Sequence, residues 1–163
     1  MFKIKSLILL LSSLVFLSCS SNQPNSHLKL SVGYIGGEYD GLILTNLLNL
    51  HLKNFDMLDE NSVYEIQSSI SHSQNVYVTN IDNTSDREKV SSSITLKIYN
   101  KNSKCFVYSY SDDISQFYIL ASSDSFNSNK KAVEKIKYGN TNYFVKNFIN
   151  LLNNENLVCD EKK

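Results

Sequence analysis

The stretch VSSSITLKIY, residues 90–99, alternates apolar and polar positions more regularly than any other part of the chain. Its even positions carry Val90, Ile94, Leu96 and Ile98, with Ser92 among them, and its odd positions are solvated. A period of two is typical of a strand with one face on a core and the other toward water. The stretch therefore predicts a strand of an antiparallel sheet that needs a cover on one face only.

The flanking residues extend this strand into a small sheet. Residues 100–103 (Asn-Lys-Asn-Ser) are typical of a hairpin loop, and the return strand is predicted over 104–110. Further strands are predicted over 28–34 and 64–70 from the same period. Asp112-Asp113 is expected to interrupt the return strand, the class of 117–120 stays open, and 76–78 is either an edge strand or no strand.

Two segments have the apolar stripe of an amphipathic helix, 39–55 and 129–152. Gly139-Asn140 lies inside the second segment and is expected to kink or break it. Together these elements predict an α+β domain over 28–153, with two helices packed on one face of a small, mostly antiparallel four-stranded sheet. Residues 154–163 are predicted to form a polar tail.

The amino terminus has the three parts of a secretory signal: Lys3 and Lys5, an apolar run over 7–17, and the small residue Ser18. Cys19 follows at once, so the site resembles the lipobox of bacterial lipoproteins, in which this cysteine becomes the lipid-modified first residue. Residues 1–18 are thus predicted to be a lipoprotein signal peptide and 19–27 a lipidated tether. The alternatives are an ordinary signal peptide with an incidental cysteine, or an uncleaved core segment.

Composition and charge restrict the class of protein. Cleavage after Ser18 leaves 145 of 163 residues, enough for one domain. The signal holds two lysines and no acid, so 14 basic and 16 acidic side chains remain of the original 16 and 16. This balance provides no basic stripe for nucleic acid. A hydrophobic content of 42% is too high for a disordered chain.

Three cysteines are present, and lipid on Cys19 would leave Cys105 and Cys159. An even number in an oxidising compartment is compatible with a disulfide between them. Two buried free thiols are the alternative, because the distance between two cysteines cannot be obtained from sequence.

The sequence contains no recognisable catalytic or metal motif. His27, His51 and His72 are scattered without ligand spacing, and there is neither a Cys-x-x-Cys nor a Gly-x-Ser-x-Gly pattern. The glycine-containing loop 33–41 lacks phosphate-loop spacing. Adjacent carboxylates such as Asp112 and Asp113 are usually just solvated. We therefore expect no enzyme activity, no metal and no cofactor.

Four basic residues form a candidate anion site: Arg87, Lys89, Lys130 and Lys131. If the start of the strand and the start of the last helix meet, these side chains suit a phosphate-bearing ligand, since Arg offers a planar fork and Lys a point charge. The alternative is a local ion-pair group, because Asp86 and Glu88 flank Arg87 directly.

The order of these features resembles the lipopolysaccharide-assembly lipoprotein family (LptE-like) over nearly the whole mature chain. The resemblance rests on Cys19, the strand–helix–strand opening, Arg87 before the alternating strand, the hairpin return, the aromatic and Ser-rich stretch 117–126, and the amphipathic carboxyl-terminal helix. It implies an outer-membrane lipoprotein facing the periplasm, with Cys19 in the membrane through its lipid.

The resemblance also implies a function. Such a protein plugs a large outer-membrane β-barrel (LptD-like), helps the barrel to fold and assists lipopolysaccharide assembly. Arg87, Lys89, Lys130 and Lys131 would then contact lipopolysaccharide phosphates. Two other classes stay open: an auxiliary lipoprotein of another envelope machine, for lipid transport or cell-wall synthase activation, and a lipid-anchored hydrolase with an unrecognised site.

Overall fold

The computed structural model describes residues 28–78, 85–119, 126–152, 155 and 157–159. The predictions for the signal peptide 1–18, for lipidation of Cys19 and for the tether 19–27 lie outside these residues. Within the described part of the chain, neither helix is long and apolar enough to cross a membrane.

Six elements follow in the order β1 (Ser31–Gly36), α1 (Glu38–Asn54), β2 (Tyr64–Val78), β3 (Ser85–Asn100), β4 (Cys105–Ile119) and α2 (Phe126–Leu152). The strands lie in the order β1-β2-β3-β4. β1 runs parallel to β2, and the other two pairs are antiparallel. The predicted α+β fold with two helices and a mostly antiparallel four-stranded sheet is confirmed.

The core lies between the helices and one face of the sheet, called here the inner face. Ile66 pairs with Ile98 and Ile70 with Ile94 in the β2–β3 register, and all four are buried. The helices supply buried residues against them, among them Leu44, Leu48, Phe144 and Phe148. The opposite face of the sheet is called here the outer face. Neither helix covers it, as the alternation at 90–99 predicts.

Gly37 determines where α1 begins. Its φ of 115° is a left-handed conformation, and a Cβ atom built on it would lie 2.5 Å from the carbonyl oxygen of Ile70. Only glycine fits such a turn without strain. In the first turn of α1, the Asp40 carboxylate lies 3.9 Å from Lys137 Nζ on α2, and this ion pair links the two helices.

Three strands are longer than predicted, and Asp112-Asp113 does not interrupt β4. The β3–β4 register continues through Asp112 opposite Ile94 and Asp113 opposite Ser93. Asp112 is accommodated because Tyr110 Oη donates to its Oδ2 at 2.7 Å. Residues 76–78 are the end of β2, and 117–119 are the end of β4. β1 starts at Ser31, three residues later than predicted.

α2 is continuous through Gly139-Asn140, so the predicted break is wrong. Gly139 is exposed, and a Cβ atom added to it would meet nothing within 4 Å. Asn140 is buried instead, with its side chain hydrogen-bonded to the sheet. The tertiary contacts of Asn140 compensate for the low helix propensity of this pair.

Part of the predicted polar tail belongs to the domain. Cys159 forms a disulfide with Cys105, the first residue of β4, with Cα atoms 5.7 Å apart. That separation is ordinary for a disulfide. Leu157 and Cys159 also pack against the core.

Candidate functional site

A layer of polar side chains interrupts the apolar core between the sheet and the middle of α2. Asn140 Nδ2 donates to Ser92 Oγ at 2.8 Å, and Gln116 Nε2 donates to Asn140 Oδ1 at 2.6 Å. His72 Nδ1 lies 2.7 Å from Ser92 Oγ, and its Nε2 lies 3.5 Å from Thr141 Oγ1. These five residues, from β2, β3, β4 and α2, are called the polar layer below.

The contacts of His72 in the polar layer fit one tautomer of the neutral imidazole. Thr141 Oγ1 donates to the carbonyl of Lys137 at 2.8 Å, so it accepts from Nε2–H of His72. Nδ1 is then an acceptor and Ser92 donates to it. Burial lowers the pKa of His72 below its ordinary value of 6.5; Asp40 opposes this shift and Lys137 adds to it.

This arrangement contains a serine–histidine pair but does not resemble a nucleophilic site. Ser92 is only 2% exposed, and its side chain is enclosed between β3 and α2, where it accepts a hydrogen bond from Asn140. A substrate could not reach its oxygen without separation of α2 from the sheet. A structural role therefore explains these contacts better than catalysis.

We expect the stability of the protein to fall in mild acid because of His72. Its pKa in the folded protein lies below 6.5, so the unfolded chain takes up the proton first as the pH falls. The contribution of His72 is fully present above about pH 6.5 and is lost progressively below it, until the pH passes the folded-state pKa. Chemical denaturation at pH 7.5, 6.5, 5.5 and 5.0 measures this loss.

The test variant is His72→Gln, and its matched control is His51→Gln. His51 lies on α1 and contacts Asn142 Oδ1 at 2.7 Å, outside the polar layer. The His72→Gln variant should lose much of the pH dependence, and the His51→Gln variant should keep it. Equal pH dependence in the wild type and His72→Gln would contradict the assignment.

A cavity of about 430 Å³ lies beyond the polar layer, between the ends of the three long strands and the first turns of α2. It is lined by Gln74, Glu88, Tyr118, Asn129, Lys130, Val133, Glu134 and Lys137. Glu88 is 7% exposed and accepts a hydrogen bond from Tyr118 Oη. The pKa of Tyr118 is raised to about 12. Burial is the main cause, and the hydrogen bond to Glu88 is the second. Tyr118 is thus a neutral donor at physiological pH.

The four predicted basic residues lie at this end of the domain but on different surfaces. Lys130 lines the cavity, and Lys131 is exposed on α2. Arg87 and Lys89 alternate with the cavity-lining Glu88 along β3, so they belong to the outer face. Lys89 Nζ lies 6.0 Å from the ring centre of Phe117 on that face. The structure divides the predicted patch into two pairs, with the sheet between them.

The outer face has an unusual chemistry at its centre. Three successive rows across β2, β3 and β4 contain eight hydroxyl side chains and one carboxylate: Ser69, Thr95 and Ser111; Ser71, Ser93 and Asp113; Ser73, Ser91 and Ser115. Neighbouring hydroxyls contact one another across the strands, as between Ser91 and Ser115 at 2.9 Å. We call these nine residues the hydroxyl face.

The described residues contain no group of three or more His, Cys, Asp or Glu side chains arranged to hold a metal ion. Their ion pairs include Lys101–Glu65 at 3.4 Å, which links the β3–β4 turn to β2. Candidate surface features of the described residues include the cavity, the hydroxyl face and the exposed aromatic residues.

The fold is shared with bacterial lipoproteins of solved structure. Rare lipoprotein B from Shewanella oneidensis is 11% identical with a TM-score of 0.56, over 76% of this chain and 96% of that one. A putative lipoprotein from Caulobacter crescentus is 13% identical with a TM-score of 0.56, over 82% and 93%. A minor lipoprotein from Acinetobacter baumannii is 14% identical with the same TM-score, over 82% and 96%.

At these identities the likeness establishes the fold alone. No family model matches the chain, and no curated protein matches it in sequence. The domain is therefore of a kind found in bacterial lipoproteins.

Proposed function

We propose that the protein is a non-enzymatic lipoprotein of the outer membrane that sits inside a large β-barrel partner, helps it to fold and assists lipopolysaccharide assembly. The observation that carries the proposal is the fold, which is shared with bacterial lipoproteins over 76–82% of the chain. The lipobox-like Ser18-Cys19 at the end of a signal-type segment supports the same class from sequence.

The hydroxyl face supports the barrel as the partner. The lumen of an outer-membrane barrel is polar. Eight hydroxyls, each able to donate and to accept, can pair with such a wall without demanding one sign of charge. The single carboxylate, Asp113, adds little net charge to the contact.

Arg87, Lys89, Lys130 and Lys131 remain the proposed contacts for lipopolysaccharide phosphates. Their division between two surfaces implies two separate contact points and not one continuous patch. Lys130 would act at the cavity, where its neighbours include Val133. Arg87 and Lys89 would act on the outer face beside Phe117.

A mild-detergent purification of the tagged protein from outer membranes tests the proposal. We expect a stoichiometric complex with one large β-barrel protein, identified by mass. The Cys19→Ala variant should be absent from the outer-membrane fraction, since it cannot carry the lipid. Recovery with an inner-membrane transporter or a cell-wall synthase would favour an auxiliary role in another envelope machine and contradict the barrel assignment.

A further inference from the structure

An open groove crosses the outer face close to the β3–β4 turn, at the opposite end of the sheet from the cavity. Its volume is about 280 Å³, and its lining includes Tyr34, Gln67, Ser69, Thr95, Lys97 and Phe106. The groove shares no residue with the cavity or with the four basic residues discussed above. It does share Ser69 and Thr95 with the hydroxyl face, so a ligand in the groove and a barrel wall would compete for these two side chains.

Two aromatic side chains form the sides of the groove. Tyr34 on β1 is 76% exposed, and a Cβ atom built on Gly36 would lie 3.6 Å from its ring. Phe106 on β4 is 38% exposed. Its ring makes an edge-to-face contact with Tyr99, with the ring centres 5.3 Å apart. The two rings belong to β1 and β4, the two edge strands of the sheet. Their backbones are therefore three strand spacings apart, about 14 Å.

The floor of the groove is polar and nearly uncharged. Gln67 and Ser69 on β2 and Thr95 on β3 supply amide and hydroxyl groups. Two of these groups are paired within the sheet: Gln67 Nε2 donates to Glu65 Oε1 at 3.1 Å, and Thr95 Oγ1 lies 3.3 Å from Ser111 Oγ. Lys97 is the one charged side chain in the lining, and its Nζ lies 5.3 Å from the Phe106 ring centre. Donors, acceptors and aromatic faces thus occur together on one exposed surface.

This chemistry selects among ligand classes. An acyl chain or an apolar peptide would cover the Ser69 hydroxyl and the Gln67 side-chain carbonyl without offering them hydrogen bonds, which costs binding energy. A nucleic acid or a polyphosphate would require several cations where the groove has one. A sugar has hydroxyls for the floor and apolar C–H faces that pack on aromatic rings.

We propose that the groove between Tyr34 and Phe106 binds a chain of neutral sugars. Binding of sugars at this place does not depend on a barrel partner or on phosphate contacts. Two envelope polymers contain runs of largely neutral sugars, the core saccharide of lipopolysaccharide and the glycan strands of the cell wall. The shared chemistry is a saccharide of several rings.

Calorimetric titration of the full-length lipidated protein tests this inference, in a detergent whose headgroup is not a sugar. The probes are lipid-free, dephosphorylated core oligosaccharide and soluble cell-wall glycan strands. We expect saturable binding of at least one probe, weakened at least tenfold by Tyr34→Ala and by Phe106→Ala. Tyr39→Ala is the matched control, since Tyr39 is 73% exposed on α1 and lies outside the groove.

Binding of the core oligosaccharide or of the glycan strands supports the inference and identifies the source of the sugar. Lack of binding by both probes overturns it, as does unchanged binding in Tyr34→Ala and Phe106→Ala. Thermal unfolding of each variant shows whether it is folded. If Phe106→Ala fails to fold, Tyr34→Ala decides the question, because Tyr34 is largely exposed. Sugar binding without a barrel complex would separate this inference from the proposed function.

Discussion

Replacement of Cys105 and Cys159 by alanine should lower the free energy of unfolding by about 4 kcal/mol. The disulfide joins residues 54 positions apart, and in the chain-entropy model a loop of this size stabilises by about that amount. It also attaches Leu157 and Cys159 to the core beside the start of β4. Urea denaturation of the oxidised protein and the double variant measures the difference.

The control for the disulfide is Val158→Ala, which alters the same segment at an exposed position. This variant should unfold at nearly the wild-type urea concentration. Addition of a reductant should destabilise the wild type and leave the double cysteine variant unchanged. Equal stability of the oxidised wild type and the double variant would contradict a stabilising role for the bridge.

Replacement of Asn140 by alanine should cost about 2–3 kcal/mol. The Asn140 side chain donates to Ser92 and accepts from Gln116. Its removal leaves buried groups on the sheet without partners, and each such group costs about 1–3 kcal/mol. The loss should appear in urea denaturation.

The adjacent residue is the matched control for Asn140→Ala. Gly139→Ala adds a methyl group into open space in the same helix turn, so it should raise the free energy of unfolding by about 0.5–1 kcal/mol. Opposite signs at neighbouring positions would show that the sheet contact, and not helix propensity, governs this turn of α2. An Asn140→Ala variant as stable as the wild type would contradict the role of the polar layer.

The inner face explains which parts of the fold were predictable. Along 90–99 the even positions are apolar except for Ser92, and this alternation was enough to place β3 and its one-sided cover. Further along the sheet the inner positions become polar, as at His72 on β2 and Gln116 on β4. The alternation then disappears although strand pairing continues, so the strands were predicted too short.

The polar layer has one signal in the sequence, and that signal fits two interpretations. Asn140 precedes Phe144 by four residues, so it lies on the apolar stripe of α2. Beside Gly139, the same residue predicts a kinked or broken helix. A polar residue on a buried stripe can equally indicate a partner across the core, and here that partner is Ser92.

The groove could not be predicted, because it depends on the strand order. Tyr34 and Phe106 are far apart in sequence. They form the two sides of one groove because β1 and β4 are the edge strands of the sheet, with β2 and β3 between them. The division of the basic residues has a similar origin. Lys130 lies on a helix that covers the inner face, whereas Arg87 and Lys89 lie on the outer face.

A photo-crosslinking residue at position 93, the centre of the hydroxyl face, gives the most direct test of the barrel assignment. We predict that irradiation of intact cells links position 93 to one large outer-membrane β-barrel protein. Position 150, exposed on α2, is the comparison site. Crosslinks from position 93 only to an inner-membrane or cell-wall enzyme, or no crosslinks at all, would contradict the account.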